Sequence, residues 1–181
     1  MEESIWVDYS GQSTKELITL ETKNCRIDSL VCAFERGLNI KYQLNKYDPN
    51  VDTDHYLKLS SEEYTILAIR ALDREVNNGG YHQFFTNSSA RYVPVIVSLL
   101  YEIGCPITAK ITQDAINCLN ISQSPTEAEV EIAIYTEIES EEERISKALD
   151  NCNDRFYKET EDIFYKLFEY IKLNSEKIIL P

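Results

Sequence analysis

The 181-residue chain has little of what breaks or loosens regular structure: five glycines and five prolines. That is too few for a flexible linker, a collagen-like repeat or a loop-rich all-β scaffold. Long apolar runs are missing as well. The stretch over residues 93–97, with Pro94 admitted, falls far short of the roughly 20 apolar residues that a membrane-spanning helix needs. Met1-Glu2-Glu3 is acidic where a secretory leader carries Lys or Arg, so a soluble cytoplasmic protein is expected. The five cysteines (Cys25, Cys32, Cys105, Cys118, Cys152) form no C-x-x-C pair, and only two histidines accompany them. The expectation is reduced, buried thiols, with no metal site and no cofactor.

Positive charge is the scarcest property. Eighteen Lys and Arg face 31 Asp and Glu, a net charge of −13. A nucleic-acid binder needs a basic footprint, and an anionic membrane surface repels such a chain, so neither is expected as a direct partner. A basic protein, a cation or solubility alone remain.

What is present is helical period almost throughout. The expectation is an all-α fold, a compact multi-helix domain of about seven to nine helices with no significant sheet. Ser13 with Glu16, and Ser60 with Glu63, have capping-box spacing. A helix is expected over residues 28–47, with Gly37 weakening its middle and Asp48-Pro49-Asn50 ending it, followed by a connector over 48–56. The helix opened by Ser60 should stop at Asn77-Asn78-Gly79-Gly80, followed by a short aromatic turn at 81–85 and a corner at Asn87-Ser88-Ser89. Residues 92–103 read as a helix apolar all round and largely buried, with Pro94 in its first turn and Gly104 at C′. A further helix is expected over 108–119, and an acidic one opening at Pro125 or Thr126. Ser140 to Glu143 has the spacing of another capping box, and Phe156 reads with Ile163, Leu167 and Ile171 as one stripe of the final helix. As organisation, 1–55 is expected to be a helical N-terminal extension packed on the domain, 56–172 the main domain and 173–181 a tail.

The densest chemical feature is acidic. Residues 122–181 carry 15 acids and 7 bases, so −8 of the −13 lies there. Glu127, Glu129, Glu131, Glu137, Glu139, Glu141, Glu142 and Glu143 fall within 17 residues with no base among them. Such carboxylates repel one another, which costs stability unless something offsets it. A solvated face is the plain reading; a negative surface shaped for a basic partner is the functional one. No catalytic motif accompanies them: His82 lacks a nucleophile in any recognisable arrangement, and the Asn-Gly tetrad lacks a phosphate-loop lysine.

One segment is specific: Leu72-Asp73-Arg74-Glu75-Val76-Asn77-Asn78-Gly79-Gly80-Tyr81-His82-Gln83-Phe84-Phe85-Thr86-Asn87-Ser88-Ser89. Its pattern, E-V-N-N-G-G-aromatic-x-Q-aromatic-F followed by N-S-S, resembles the signature of a bacterial DNA-mimic protein family of small helical proteins. The likeness extends through Ile103-Gly104 and Asp154-Arg155-Phe156-Tyr157 and covers roughly residues 56–172. The resemblance implies an all-α fold and, as in the mimic, a dimer whose surface carboxylates occupy the DNA-binding face of a transcriptional regulator. Within the signature, one reading is architectural: Gly79 and Gly80 for the turn, Asn77, Asn78 and Asn87 for capping, Tyr81, Phe84 and Phe85 for packing. The other is a pocket with Gln83 and Glu75 as its polar groups. The functional expectation is an acidic interaction protein that competes with DNA for a basic regulator. An immunity-type partner of a basic toxin or enzyme, and a small ligand-binding or enzymatic domain centred on 75–87, stand as alternatives.

Overall fold

The computed structural model describes residues 4–44, 53–122, 125–159 and 161–181. Among the described residues eight α-helices follow one another: α1 (Thr14–Thr19), α2 (Ile27–Lys41), α3 (Ser61–Thr86), α4 (Val93–Glu102), α5 (Pro106–Asn117), α6 (Glu127–Ile134), α7 (Glu139–Lys158) and α8 (Ile163–Leu173), with short 3-10 turns between some of them. Among the described residues there is no strand, only an isolated bridge between Ile5 and Cys25. The protein is all-α, as its periodicity demands. No helix among the described residues is long and apolar enough to cross a membrane. The chain divides into two compact units, one of residues 1–67 with 162–181 and the other of residues 68–161.

In the first unit α2 packs against α8 and α1, burying Leu17, Leu30, Phe34, Leu38, Leu167, Phe168 and Ile171. Gly37 is more than a weak helix former. A Cβ there would lie 2.9 Å from Leu180 Cδ2 and 3.0 Å from the Tyr9 ring, so the absent side chain is what lets those residues close on α2. The helix ends at Lys41 instead of Tyr47, because Gln43 turns to a left-handed φ of 56°. The expected proline stop and most of the 48–56 connector lie outside the described residues, and Thr53–Lys58 forms a 3-10 turn. Both capping boxes form: Ser13 Oγ accepts from the Glu16 N–H, and Ser60 Oγ from the Glu63 N–H at 3.1 Å.

Glu63 does far more than cap. Its buried carboxylate accepts from Lys41 Nζ at 2.9 Å, the Tyr42 hydroxyl at 2.7 Å, the Ser60 N–H at 3.0 Å and the Ile179 N–H at 3.2 Å. Burial raises its pKa, but these four donors outweigh it and hold the carboxyl below its ordinary range.

In the second unit α5 packs between α4 and α7. The apolar α4 is not buried all round: only Val93, Ile96 and Leu100 are enclosed, while Pro94, Ser98 and Tyr101 face solvent. Its end follows the expected pattern, with Gly104 at φ 84° and the Cys105 N–H returning to the Leu100 carbonyl at 2.8 Å. The following helix starts two residues early, at Pro106, because a carboxylate from far along the chain caps it. Glu161 accepts the N–H groups of Ile107 and Thr108 at 3.0 and 2.8 Å and the Thr108 hydroxyl at 2.8 Å. The expected capping box at Ser140 does not form, since α7 starts from Ile138 and places Ser140 within its first turn. The box belongs instead to Thr126 and Glu129 at the start of α6. Phe156 lies on α7, not on the final helix, which begins afresh after Asp162 accepts from the Tyr165 N–H at 2.9 Å. None of the five cysteines is in a disulfide; Cys105 and Cys152 are buried, but Cys25, Cys32 and Cys118 are only partly so.

Replacing Glu63 by Ala removes the shared acceptor of four donors. It is expected to lower stability by roughly 2–3 kcal/mol, read as a shift of the urea midpoint with an unchanged slope.

Candidate functional site

The second unit holds both the signature segment and the acidic run. The helical path of α3 breaks at Gly79 and Gly80, and Gly80 takes φ 73°, a conformation that L side chains rarely adopt. A Cβ at Gly80 would also run into the Asn153 amide. That amide is placed to be useful, for Asn153 Oδ1 accepts the Tyr81 N–H at 2.8 Å as the helix resumes. The Tyr157 hydroxyl donates to the Val76 carbonyl at 2.7 Å, just before the break.

Glu75 is buried and gathers the segment from both sides. Its carboxylate accepts from Gln83 Nε2 and Asn87 Nδ2, each at 2.7 Å, and from Arg74 Nε at 3.1 Å. Burial pushes its pKa up, yet the amide and guanidinium donors prevail and hold it below the ordinary carboxyl value. Asn87 therefore does not cap: it stands at the N-cap of the Ser88–Tyr92 turn with no side-chain cap bond and spends its amide on Glu75. Asn77 and Asn78 are exposed, and Asn77 Nδ2 returns to the Asp73 carbonyl at 2.8 Å. Tyr81, Phe84 and Phe85 are buried. The Tyr81 ring meets Phe156 edge-on at 5.9 Å, and its hydroxyl pairs with Thr112 Oγ1 at 2.8 Å. Burial pushes the Tyr81 hydroxyl far above its usual pKa, so it remains a neutral hydrogen-bonding group. His82 is exposed. Among the described residues no group of three or more His, Cys, Asp or Glu is arranged to hold a metal ion.

The eight glutamates of the acidic run are sorted by the fold. Glu127 and Glu131 are exposed on α6; with Tyr135 they face the Phe85–Ala90 corner across a cleft of about 180 Å3. Glu129 is partly buried and turns back to Thr126, accepting its N–H at 2.7 Å and its hydroxyl at 2.8 Å. Those bonds hold the Glu129 carboxyl below its ordinary pKa. Glu137 is exposed in the connection to α7, and Glu139, Glu142 and Glu143 are exposed in its first turns, where the helix dipole favours negative charge. Glu141 is partly buried and paired with Arg144 at 2.9 Å, and Glu143 lies 3.7 Å from Lys147. The bases missing from the run itself thus arrive from the next turn of α7. Sequence reasoning missed the roles of Asn153, Tyr157 and Glu161. Only Tyr157 carried a signal, as part of the second stretch of family likeness.

Residues 57–174 match the DMP19-like protein family. The match spans well over half of the chain, and the protein belongs to that family; the DNA-mimic family read from the signature is the one found. No curated protein and no solved structure matches the chain.

Two outcomes test the signature geometry. Gly80→Ala should destabilise by about 1–3 kcal/mol, since both its φ and Asn153 oppose a Cβ, measurable by urea unfolding. Glu75→Gln sets amide donors against amide donors and should cost about 1–3 kcal/mol at neutral pH. Because the folded pKa of Glu75 is lowered, its stabilisation is complete above the ordinary value of 4.5 and is lost as pH falls through the folded value. The unfolding midpoints of wild type and Glu75→Gln should therefore converge in acid; a gap that stays constant with pH would mean that the charge plays no part.

Proposed function

We propose that this protein is an acidic interaction module that occupies the DNA-binding surface of a basic DNA-binding protein. The observation that carries the reading is the set of six exposed carboxylates, Glu127, Glu131, Glu137, Glu139, Glu142 and Glu143, within one stretch of the second unit. Membership of a DNA-mimic family supports it. Glutamates four apart on a helix advance about 6 Å along its axis, close to two phosphate steps of about 3.4 Å each. A groove evolved for phosphates therefore meets charges at a familiar spacing. Glu129 and Glu141, named with the others from the sequence, serve as cap and ion-pair partner in this reading and sit at the margin of the face. The signature braces the surface; the inward commitment of Glu75, Gln83 and Asn87 favours this over a pocket lined by them. The protein acts in the cytoplasm. The homodimer implied by the resemblance belongs to the same proposal, with the carboxylates kept out of its interface by like-charge repulsion.

The test uses the full chain immobilised in extract of the source cells, eluted with salt and repeated with excess duplex DNA. The expected result is capture of a DNA-binding protein that moderate salt releases and DNA displaces. Replacing Glu137, Glu139, Glu142 and Glu143 together by Gln should weaken that partner roughly tenfold to a hundredfold without altering helicity. A partner indifferent to duplex DNA would replace mimicry by an immunity-type role. Full binding by the folded variant would remove these carboxylates from the site.

A further inference from the structure

The acidic stretch also leaves an apolar surface open. Ile132 is 75% exposed, Tyr135 60% and Ile138 61%, all within seven residues. Single exposed hydrophobic side chains are ordinary, but three so close together amid carboxylates are not. An imitation of a phosphate ladder by charge alone has no use for them. Tyr135 is also one wall of the cleft of about 180 Å3, with Glu127 and Glu131 beside it and the Asn87-Ser88 corner opposite.

Size and lining define what fits there. Small-molecule sites usually span about 300–1,000 Å3, so this cleft is too small for one. At a liquid share of about 30 Å3 per water it equals roughly six waters, the scale of one long side chain. An apolar side chain would strip water from Glu127 and Glu131 without compensation, whereas a cation pairs with both. Carboxylates at i and i+4 stand with Cβ atoms about 5–6 Å apart. A planar guanidinium can bridge them through its fork of N–H donors while lying flat on the Tyr135 ring; an ammonium makes such contacts only as a point charge, as Lys172 does between Glu21, Glu169 and the Phe168 ring. A second copy of this chain would bring like charge against like and is excluded as the occupant.

We infer that Tyr135 and its cleft form the anchor of a docking surface that receives an arginine side chain of a basic protein, with Ile132 and Ile138 covering apolar surface beside that arginine. The inference rests on the acidic-face reading and adds the element that charge lacks, ring stacking and apolar contact that salt screens far less than the ion pairs beside them.

The experiment titrates the isotope-labelled full chain with a hexa-arginine peptide and, separately, a hexa-lysine peptide, at low salt and at roughly 0.3 M salt. Amide shifts from the arginine peptide should concentrate at residues 85–90 and 127–138 and persist at the higher salt, while the lysine peptide is lost. Tyr135→Ser should weaken the arginine peptide about three- to fivefold, and Tyr135→Phe should leave it unchanged. Both variants should unfold in urea as wild type does, because the side chain is exposed. Shifts centred on Glu139, Glu142 and Glu143, equal affinity for the two peptides, or full binding by Tyr135→Ser would each overturn the anchor and leave the acidic-face reading standing. No binding of either peptide at low salt would overturn both.

Discussion

A carboxylate buried as Glu75 is stays ionised only if donors replace the water it has lost, and two of its three donors come from beyond a break in its own helix. Gln83 is eight residues away and Asn87 twelve; an uninterrupted helix would carry them about 12 and 18 Å along the axis, out of reach. The break at Gly79 and Gly80 is the geometric condition for this bond set. It in turn requires Asn153 to take the Tyr81 N–H, which fixes α7 against the signature through Phe156 and Tyr157. The acidic run ends in the first turns of that same α7, so its placement descends from the Glu75 site.

The net charge of −13 is not one property. Part of it is structural: Glu16 and Glu129 complete capping boxes, Asp162 caps α8, Glu161 caps α5 from more than fifty residues away, and Glu63 and Glu75 hold donor clusters. In each case the carboxylate satisfies N–H groups that helix ends or buried side chains would otherwise leave without an acceptor. These groups would be acidic in a protein with no partner at all. Others, among them Glu127, Glu131, Glu137, Glu139, Glu142 and Glu143, face water. The net charge merges the two classes, so charge alone does not separate a partner surface from a solvated face.

Local chemistry was the legible part of the sequence. The boxes at Ser13 and Ser60, the Pro94 and Gly104 punctuation of α4 and the glycine break of α3 each depend on residues within a turn of one another. Structure and expectation part where two local signals compete or where a distant group decides the matter. Ser140 has good capping spacing, but Ile138 already starts α7, and it is Thr126 with Glu129, at the same spacing, that forms a box. The apolar run of α4 promises burial on every side, yet only Val93, Ile96 and Leu100 are enclosed, while Pro94, Ser98 and Tyr101 meet water. Asn87 looked like a cap and is a donor to Glu75, a contact that no period in the sequence announces. Of the site, residue identities were readable and their sorting was not. Within the run the glutamates look alike, and it is the capping-box spacing of Glu129 to Thr126 that turns one back and leaves Glu131 beside Tyr135.

That sorting bears on how a family can keep its fold and change its target. The signature residues bond to one another and to α7, so a change in any of them is felt as lost stability. The exposed glutamates, and Ile132, Tyr135 and Ile138 between them, touch little else, and surface positions of this kind vary within about 0.5 kcal/mol of stability. On the proposed reading, a partner's groove can therefore select their pattern without resistance from the core. Shared architecture then carries over the platform, α6 and the start of α7 held by the Glu75 site. The spacing of charges and the apolar contacts among them belong to each chain by itself.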